Sequence, residues 1–175
     1  KEANDVYNQI SVWPYQYSLP DYSYNYFQKQ DYWKHYLYPE KDKDFSKNQE
    51  INKAIEIPLI NIEKTTKITP VFSYDLNFVY FMNKLAFRDH PDIVICPGID
   101  YNDVKDSQSH MFKFRAIENG YSIVKNTFAG TSIAVDYCGR ILSYSHPKED
   151  TEDYIFLTQV YIEGRKTLYS YIGIV

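Results

Sequence analysis

The spacing of apolar residues changes period repeatedly through the middle of the chain, and this alternation favours an α/β fold. Ile68 to Phe72 is predicted to be a strand. Apolar residues then recur at helical spacing from Leu76 to Ala86, and His90-Pro91 should end that helix. Ile93 to Cys96 is apolar on both faces, which is typical of a central strand. Strands and helices therefore alternate along this part of the chain.

The second half continues the alternation and adds antiparallel strands. Ser109 to Asn119 is predicted to be helical, with Gly120 as its C-cap, and Tyr121 to Lys125 is predicted as the next strand. Thr131 to Asp136 and Ile141 to Tyr144 flank a glycine-containing turn and should pair as a hairpin. Two further strands are expected, a half-buried edge strand at Ile55–Ile60 and a last long strand at Tyr154–Ile162.

Composition excludes several classes of protein. A length of 175 residues suits one domain with one hydrophobic core. The formal net charge is −4 and no basic stripe is visible, which argues against nucleic acid as a partner. No apolar run reaches the roughly 18 residues that a membrane-spanning helix requires.

The cysteines and histidines indicate no metal or disulfide chemistry. Cys96 follows a buried apolar run and Cys138 lies in a turn, so both are interpreted as structural thiols. The four histidines are scattered, with no i, i+4 pair and no Cys-x-x-Cys motif that would fix a tetrahedral metal site. We expect neither a metal nor an organic cofactor.

Several short motifs occur in an order that a known family shares. Val71–Asp75 has the sequence Val-Phe-Ser-Tyr-Asp, Arg115–Gly120 has Arg-Ala-Ile-Glu-Asn-Gly, and Tyr32–Pro39 contains Tyr-x-Lys-x-x-Leu-x-Pro. Together they resemble the nitrilase (carbon–nitrogen hydrolase) superfamily, and most of all the nitrilase-like domain of bacterial apolipoprotein N-acyltransferases. Pro97–Tyr101 and Asn126–Ser132 also resemble segments of the family, and Gln108–Met111 and Gly164–Tyr169 resemble segments of the acyltransferase branch.

The resemblance implies a fold, a four-layer α-β-β-α sandwich. It covers residues 32–175, whereas residues 1–31 match poorly, so we treat 1–175 as one domain with an extended N-terminal segment. The family places a general-base glutamate well upstream of its lysine, and Val12–Tyr15 has no glutamate there. We therefore expect the sandwich to be incomplete or degenerate at its N-terminal side. An uncovered sheet edge would favour self-association or a covering N-terminal segment.

The resemblance also assigns catalytic positions. In the family a cysteine thiol attacks a carbonyl, a carboxylate moves the proton, and a lysine stabilises the oxyanion. Ser73 occupies the cysteine position, Lys34 the lysine position, and Asp42 the register of a supporting glutamate. Local sequence alone allows other interpretations: Ser73 helps to cap the next helix, with Asp75 as the stronger N-cap, and Lys34 is a surface lysine.

Other residues have roles in the pocket or the scaffold. Arg115 and Glu118, spaced i, i+3, are interpreted as an ion pair on a helix face. A serine needs an adjacent base to become a nucleophile, and no histidine is placed to serve Ser73. By resemblance, the substrate-binding residues are Tyr74, Asp100, Tyr101, His110 and Asn126.

Three hypotheses for function follow. The first is a domain related to apolipoprotein N-acyltransferase, inactive as it stands, whose partners are an acyl donor, a lipid or a lipoprotein peptide. It would lie on the extracytoplasmic face of a bacterial membrane and meet that membrane only through segments absent from this chain. The second is a soluble carbon–nitrogen hydrolase that acts on an amide. The third is a non-catalytic binding module on the same fold.

Overall fold

The computed structural model describes residues 9–12, 30–33, 53–59, 63–98, 105–127, 130–145 and 155–173. Its strands are β1 (Gln9–Val12), β2 (Gln30–Trp33), β3 (Ile55–Pro58), β4 (Thr65–Pro70), β5 (Ile93–Gly98), β6 (Ser122–Thr127), β7 (Ser132–Val135) and β8 (Ile141–Ser145). The first two strands pair antiparallel with each other. The other six form one mixed sheet in the order β3-β4-β5-β6-β7-β8.

Three parallel strands form the centre of this sheet, with β5 between β4 and β6. Parallel neighbours need crossover connections, and α1 (Val79–Asp89) and α2 (Lys105–Asn119) lie in those connections. An antiparallel strand, β3, pairs with β4 at one edge, and β7 and β8 form the predicted hairpin at the other. The α/β class is therefore confirmed, as are the central position of β5 and the edge position of β3.

The start of α1 differs from the prediction. A 3-10 turn, Ser73–Asn77, comes first, and α1 begins after Phe78, whose φ of −94° and ψ of 99° interrupt the helical run. Phe78 is thus the N-cap of α1, and Asp75 is buried inside the turn. The prediction of Asp75 as N-cap is wrong because the tighter turn, closed by the Asp75 N–H to the Phe72 carbonyl at 2.9 Å, displaces the helix start.

Left-handed residues end both of these helices. His90 follows α1 with a φ of 47° and donates its N–H to the Ala86 carbonyl at 3.0 Å. Gly120 follows α2 with a φ of 78°, which confirms the predicted C-cap. A Cβ on Gly120 would lie 1.7 Å from the Arg165 carbonyl oxygen, so the close approach also requires glycine. Within the described ranges, no helix is both long and apolar enough to cross a membrane.

The hydrophobic core combines side chains of the helices with those of the central strands. One face of α1 and the inner positions of α2 are fully buried, together with one face of β5 and β6. Cys96 is part of this core, as predicted for a structural thiol, whereas Cys138 is exposed. The largest fully buried side chains are those of Tyr121, Phe81, Phe112, Lys125, Leu76, Met82, Leu85 and Ile123.

Asp136 organises the turn between β7 and β8. Its carboxylate accepts hydrogen bonds from the backbone N–H groups of Cys138 at 2.9 Å and Arg140 at 2.8 Å, and from the Arg140 guanidinium at 2.6 Å. Burial opposes ionisation of this carboxyl, but the three hydrogen bonds outweigh it and lower the pKa of Asp136. The glycine at position 139, with a φ of 78°, completes the turn.

The predicted last strand, Tyr154–Ile162, is not a strand in the part that the structure describes, residues 155–162. Hydroxyl groups fasten this segment at separate points in place of a backbone ladder. Ser122 Oγ donates to the Tyr161 carbonyl and Thr66 Oγ1 to the Ile162 carbonyl, each at 3.3 Å. The prediction of a strand is wrong because these contacts come from hydroxyl groups near the amino ends of β4 and β6, which form no β ladder.

Residues 161–167, here called the C-terminal strap, cross the amino ends of the parallel strands. The Asp92 carboxylate is their main anchor, because it accepts from the Gly164 N–H at 2.7 Å and from the Lys67 N–H at 2.8 Å. The Arg165 N–H donates to the Gly120 carbonyl at 2.6 Å. Thr167 then caps α3 (Leu168–Ile172) by accepting from the Ser170 N–H.

Replacing Asp92 with Ala should lower the free energy of unfolding by about 2–3 kcal/mol, because two backbone donors lose a charged acceptor. Chemical denaturation of the wild type and the variant measures the difference. Glu63→Ala is the matched control, since Glu63 is exposed and makes no hydrogen bond or ion pair among the described residues. Its effect should stay within about 0.5 kcal/mol. Equal effects of the two substitutions would contradict the anchoring role of Asp92.

Candidate functional site

The carboxyl ends of the three parallel strands meet at one edge of the sheet. The Val71 N–H donates to the Ile95 carbonyl at 2.9 Å, which extends the pairing of β4 and β5 one residue beyond β4. In the neighbouring strand pair, β5 and β6, Gly98 lies opposite Thr127. In open α/β sheets, ligands bind in the crevice outside such strand ends. This edge is therefore the first place to seek a site.

Ser73 lies directly against this edge. It opens the 3-10 turn after β4, and its side chain is half-buried. A Cβ built on Gly98 would be 2.3 Å from Ser73 Cβ and 3.0 Å from Ser73 Oγ. The backbone of β5 thus passes beneath residue 73 at a distance that only glycine allows. The predicted strand-to-turn position of Ser73 is observed, although β4 ends at Pro70 and not at Phe72.

The turn that holds Ser73 is fastened by side chains on both sides. Tyr74, a predicted binding residue, packs edge-to-face against Phe78 with ring centroids 5.3 Å apart. Arg115 Nε donates to the Leu76 carbonyl at 3.3 Å, and the same guanidinium pairs with Glu118. The predicted ion pair is confirmed. The bond from α2 to the turn was not predicted, since sequence spacing shows only contacts within one helix.

Asn126, the predicted strand-end residue, contributes to the connection after β6. Its Oδ1 accepts from Ser132 Oγ at 3.0 Å, and Ser132 Oγ in turn accepts from the Thr127 N–H at 3.1 Å. The Asn126 side chain is nevertheless exposed at the strand end. It is therefore held in a fixed position at the same edge as Ser73.

His110 stands apart from this arrangement. It is exposed on α2 and makes no hydrogen bond among the described residues. His90, the other histidine in the described part, is at the end of α1, and neither histidine is bonded to Ser73. Four further predicted site residues lie outside the described residues and remain predictions: Lys34, Asp42, Asp100 and Tyr101.

A buried lysine near this edge was missed by sequence reasoning. Lys125 is fully buried on β6, opposite Cys96, and its Nζ lies 4.5 Å from the centroid of the Phe112 ring. A charge in the core requires compensating interactions, and the face of an aromatic ring supplies one of them. The only signal in the sequence was a single charged residue within an otherwise buried strand.

Solved structures share the architecture described above. An amidase from Nesterenkonia sp. superposes with a TM-score of 0.56 at 20% identity, over 67% of this chain and 46% of the amidase. A carbon–nitrogen hydrolase from Helicobacter pylori G27 gives 0.55 at 17%, over 67% and 48%. The described core has the nitrilase fold. The chain spans less than half the length of these nitrilase-fold structures.

Sequence comparison gives no identification beyond the fold. No protein-family model and no curated protein sequence matches the chain. In one structure of the Nesterenkonia amidase, at 20% identity and a TM-score of 0.55, the active-site cysteine carries the acetamide moiety of fluoroacetamide. At these identities, the nitrilase fold is what the likeness shows.

The contact between Ser73 and Gly98 predicts a strong energetic coupling. Gly98→Ala should lower the free energy of unfolding by about 1–3 kcal/mol, because the new methyl group overlaps Ser73 Cβ. Ser73→Gly removes the overlapping atom, so the double variant should recover at least about 1 kcal/mol. Denaturation of the four proteins measures the coupling.

Gly139→Ala serves as the control, since a Cβ there would overlap Ile117 of α2 and would not contact Ser73. Its combination with Ser73→Gly should be additive within about 0.5 kcal/mol. Additivity of the Gly98 and Ser73 substitutions would show that the two residues do not touch.

Proposed function

We propose that this chain is a nitrilase-superfamily domain in which residue 73 occupies the position that receives an acyl group. The observation behind this proposal is the position of Ser73. It lies on a sharp turn at the carboxyl ends of parallel strands, pressed against Gly98. A sharp turn at this place presents a side chain to the crevice outside the strand ends. The nitrilase fold of the core supports the same assignment.

As it stands, the domain has little or no turnover under this proposal. A serine hydroxyl is far less acidic than a thiol and requires a general base. Neither described histidine is bonded to Ser73. By resemblance, Lys34 is the oxyanion lysine and Asp42 a supporting acid. The residues proposed to line the binding pocket are Tyr74, Asp100, Tyr101, His110 and Asn126.

The acyltransferase branch is the finer part of the proposal, with a phospholipid as acyl donor and a lipoprotein amine as acceptor. Its support is the resemblance of Gly164 to Tyr169. In the structure, a Cβ on Gly164 would lie 2.8 Å from the Pro91 carbonyl oxygen, and Thr167 caps α3. The structural roles of Gly164 and Thr167 explain this motif without acyl transfer. The assignment to the acyltransferase branch therefore rests on the sequence resemblance alone.

A second candidate is a carbon–nitrogen hydrolase that acts on an amide. The solved structures with this fold support it, since two of the proteins are an amidase and a carbon–nitrogen hydrolase. A variant of the Nesterenkonia amidase is also known in complex with butyramide. Both candidates use the same position 73 and differ in the acceptor of the acyl group, which is an amine in one and water in the other.

The Ser73→Cys substitution should restore the first half-reaction. On incubation with p-nitrophenyl acetate, intact-mass analysis and peptide mapping should show one acetyl group at position 73 of the variant and none on Ser73 of the wild type. Cys138 is an internal control, because it is exposed in the same molecule, and Cys96 is a buried one. The thiol introduced at position 73 should be acylated about tenfold faster than that of Cys138.

The fate of the adduct separates the candidates. Transfer to glycinamide in preference to water supports the acyltransferase, and hydrolysis at an equal or greater rate supports the amidase. Acylation of the introduced thiol no faster than that of Cys138 would refute the proposed acyl position and favour a binding module. Acylation of Ser73 in the wild type would contradict the proposal that the chain is inactive.

A further inference from the structure

A cleft lies at the opposite end of the sheet from Ser73. It has a volume of about 390 Å³ and is bounded on one side by the C-terminal strap. This volume falls within the range of roughly 300–1,000 Å³ that small-molecule sites occupy. The lining residues are Tyr137, Tyr161, Ile162, Glu163, Gly164, Arg165 and Lys166.

Two tyrosine rings in an edge-to-face pair lie in this cleft, each with a guanidinium group near its face. Arg165 Cζ lies 5.0 Å from the centroid of the Tyr137 ring, and the rings of Tyr137 and Tyr161 are 5.9 Å apart. Arg140 Cζ lies 5.6 Å from the centroid of the Tyr161 ring. A guanidinium held near a ring face by a cation–π interaction keeps N–H groups that can donate to an oxyanion.

The charges of the cleft do not balance. Glu163 is paired with Lys64 at 2.8 Å, and this hydrogen bond lowers the pKa of the Glu163 carboxyl. Arg140 is paired with Asp136. Arg165 and Lys166, in contrast, have no carboxylate within ion-pair distance among the residues that the structure describes. The lining thus carries two cations, Arg165 and Lys166, and one carboxylate, Glu163, which is paired with Lys64 and also feels the charge of Arg165.

The wall of the cleft is held in place by backbone contacts. The Gly164 N–H is bonded to the Asp92 carboxylate and the Arg165 N–H to the Gly120 carbonyl. These bonds fix the backbone that bears both cations, so the side chains of Arg165 and Lys166 are not needed to hold the strap. A site whose groups are already in place loses less ordering entropy when a ligand binds.

We propose that this cleft binds a soluble phosphate monoester. A phosphate monoester carries about −1.5 to −2 charges at pH 7, which matches the two cations, whereas a carboxylate would neutralise only one. Arg165 donates two parallel N–H bonds to the phosphate, Lys166 adds the second positive charge, and the Tyr161 ring contacts the organic group of the ligand.

This site is distinct from the one proposed at residue 73. The strap crosses the amino ends of the parallel strands, whereas Ser73 lies at their carboxyl ends. The six residues of β5 separate the two edges by roughly 20 Å. The proposal therefore holds or fails independently of the acyl-group proposal.

Isothermal titration calorimetry of the full chain with phenyl phosphate tests the proposal. Wild type should bind one equivalent, and Arg165→Gln should raise Kd by about tenfold or more through loss of the bidentate contact. Arg165→Lys should have an intermediate Kd, because lysine keeps the positive charge but lacks the two parallel N–H donors of the guanidinium. Lys166→Gln should also weaken binding.

Lys84→Gln is the matched control, since it removes one exposed positive charge on α1, outside the lining of the cleft. It should leave Kd unchanged within about twofold. Unfolding midpoints of all variants should agree, because the backbone anchors remain. Three results would overturn the proposal: no saturable binding by the wild type up to about 10 mM, equal losses for Lys84→Gln and Arg165→Gln, or binding to phosphatidic-acid vesicles without binding to phenyl phosphate.

Discussion

Parallel pairing of β4, β5 and β6 is the constraint on which the rest of the structure depends. It brings the three carboxyl ends to one edge, where Ser73, Gly98 and Asn126 lie, and the three amino ends to the other, where Asp92 holds the strap. The crossover helices then have to cover the same face of the sheet, and the buried core forms between them. Both proposed sites are consequences of this arrangement.

The two edges are stabilised in different ways. At the carboxyl edge, close packing dominates: Gly98 admits residue 73, and Arg115 ties the turn to α2. At the amino edge, hydrogen bonds to one carboxylate and several carbonyls dominate, and the strap is irregular between them. A close-packed turn presents a single reactive atom in a fixed place. An anchored strap instead leaves a row of side chains facing solvent, which suits ligand binding.

Sequence reasoning recovered what local periodicity determines. The strands β3 to β8, the presence of both long helices and the Gly120 cap follow from apolar spacing and turn residues, although α2 begins at Lys105, before the predicted Ser109. Tertiary contacts decided the rest. Aspartate is a common N-cap residue, but Asp75 lies inside a 3-10 turn. Residues 155–162 were predicted as a strand but are held by hydroxyl groups. At the site, the position of Ser73 was predicted, whereas its dependence on Gly98 and the burial of Lys125 required the sheet register.

Under the proposed function, the fold activates a nucleophile at position 73 and does more than expose it. The rates of alkylation by iodoacetamide at pH 6, measured in one sample of Ser73→Cys for the introduced thiol and for Cys138, test this most directly. Exposure alone favours Cys138, because that residue is exposed and Ser73 is half-buried. A position that receives an acyl group favours the thiolate form of a cysteine, so we expect alkylation at position 73 about tenfold faster than at Cys138. Equal rates, or faster alkylation of Cys138, would contradict it.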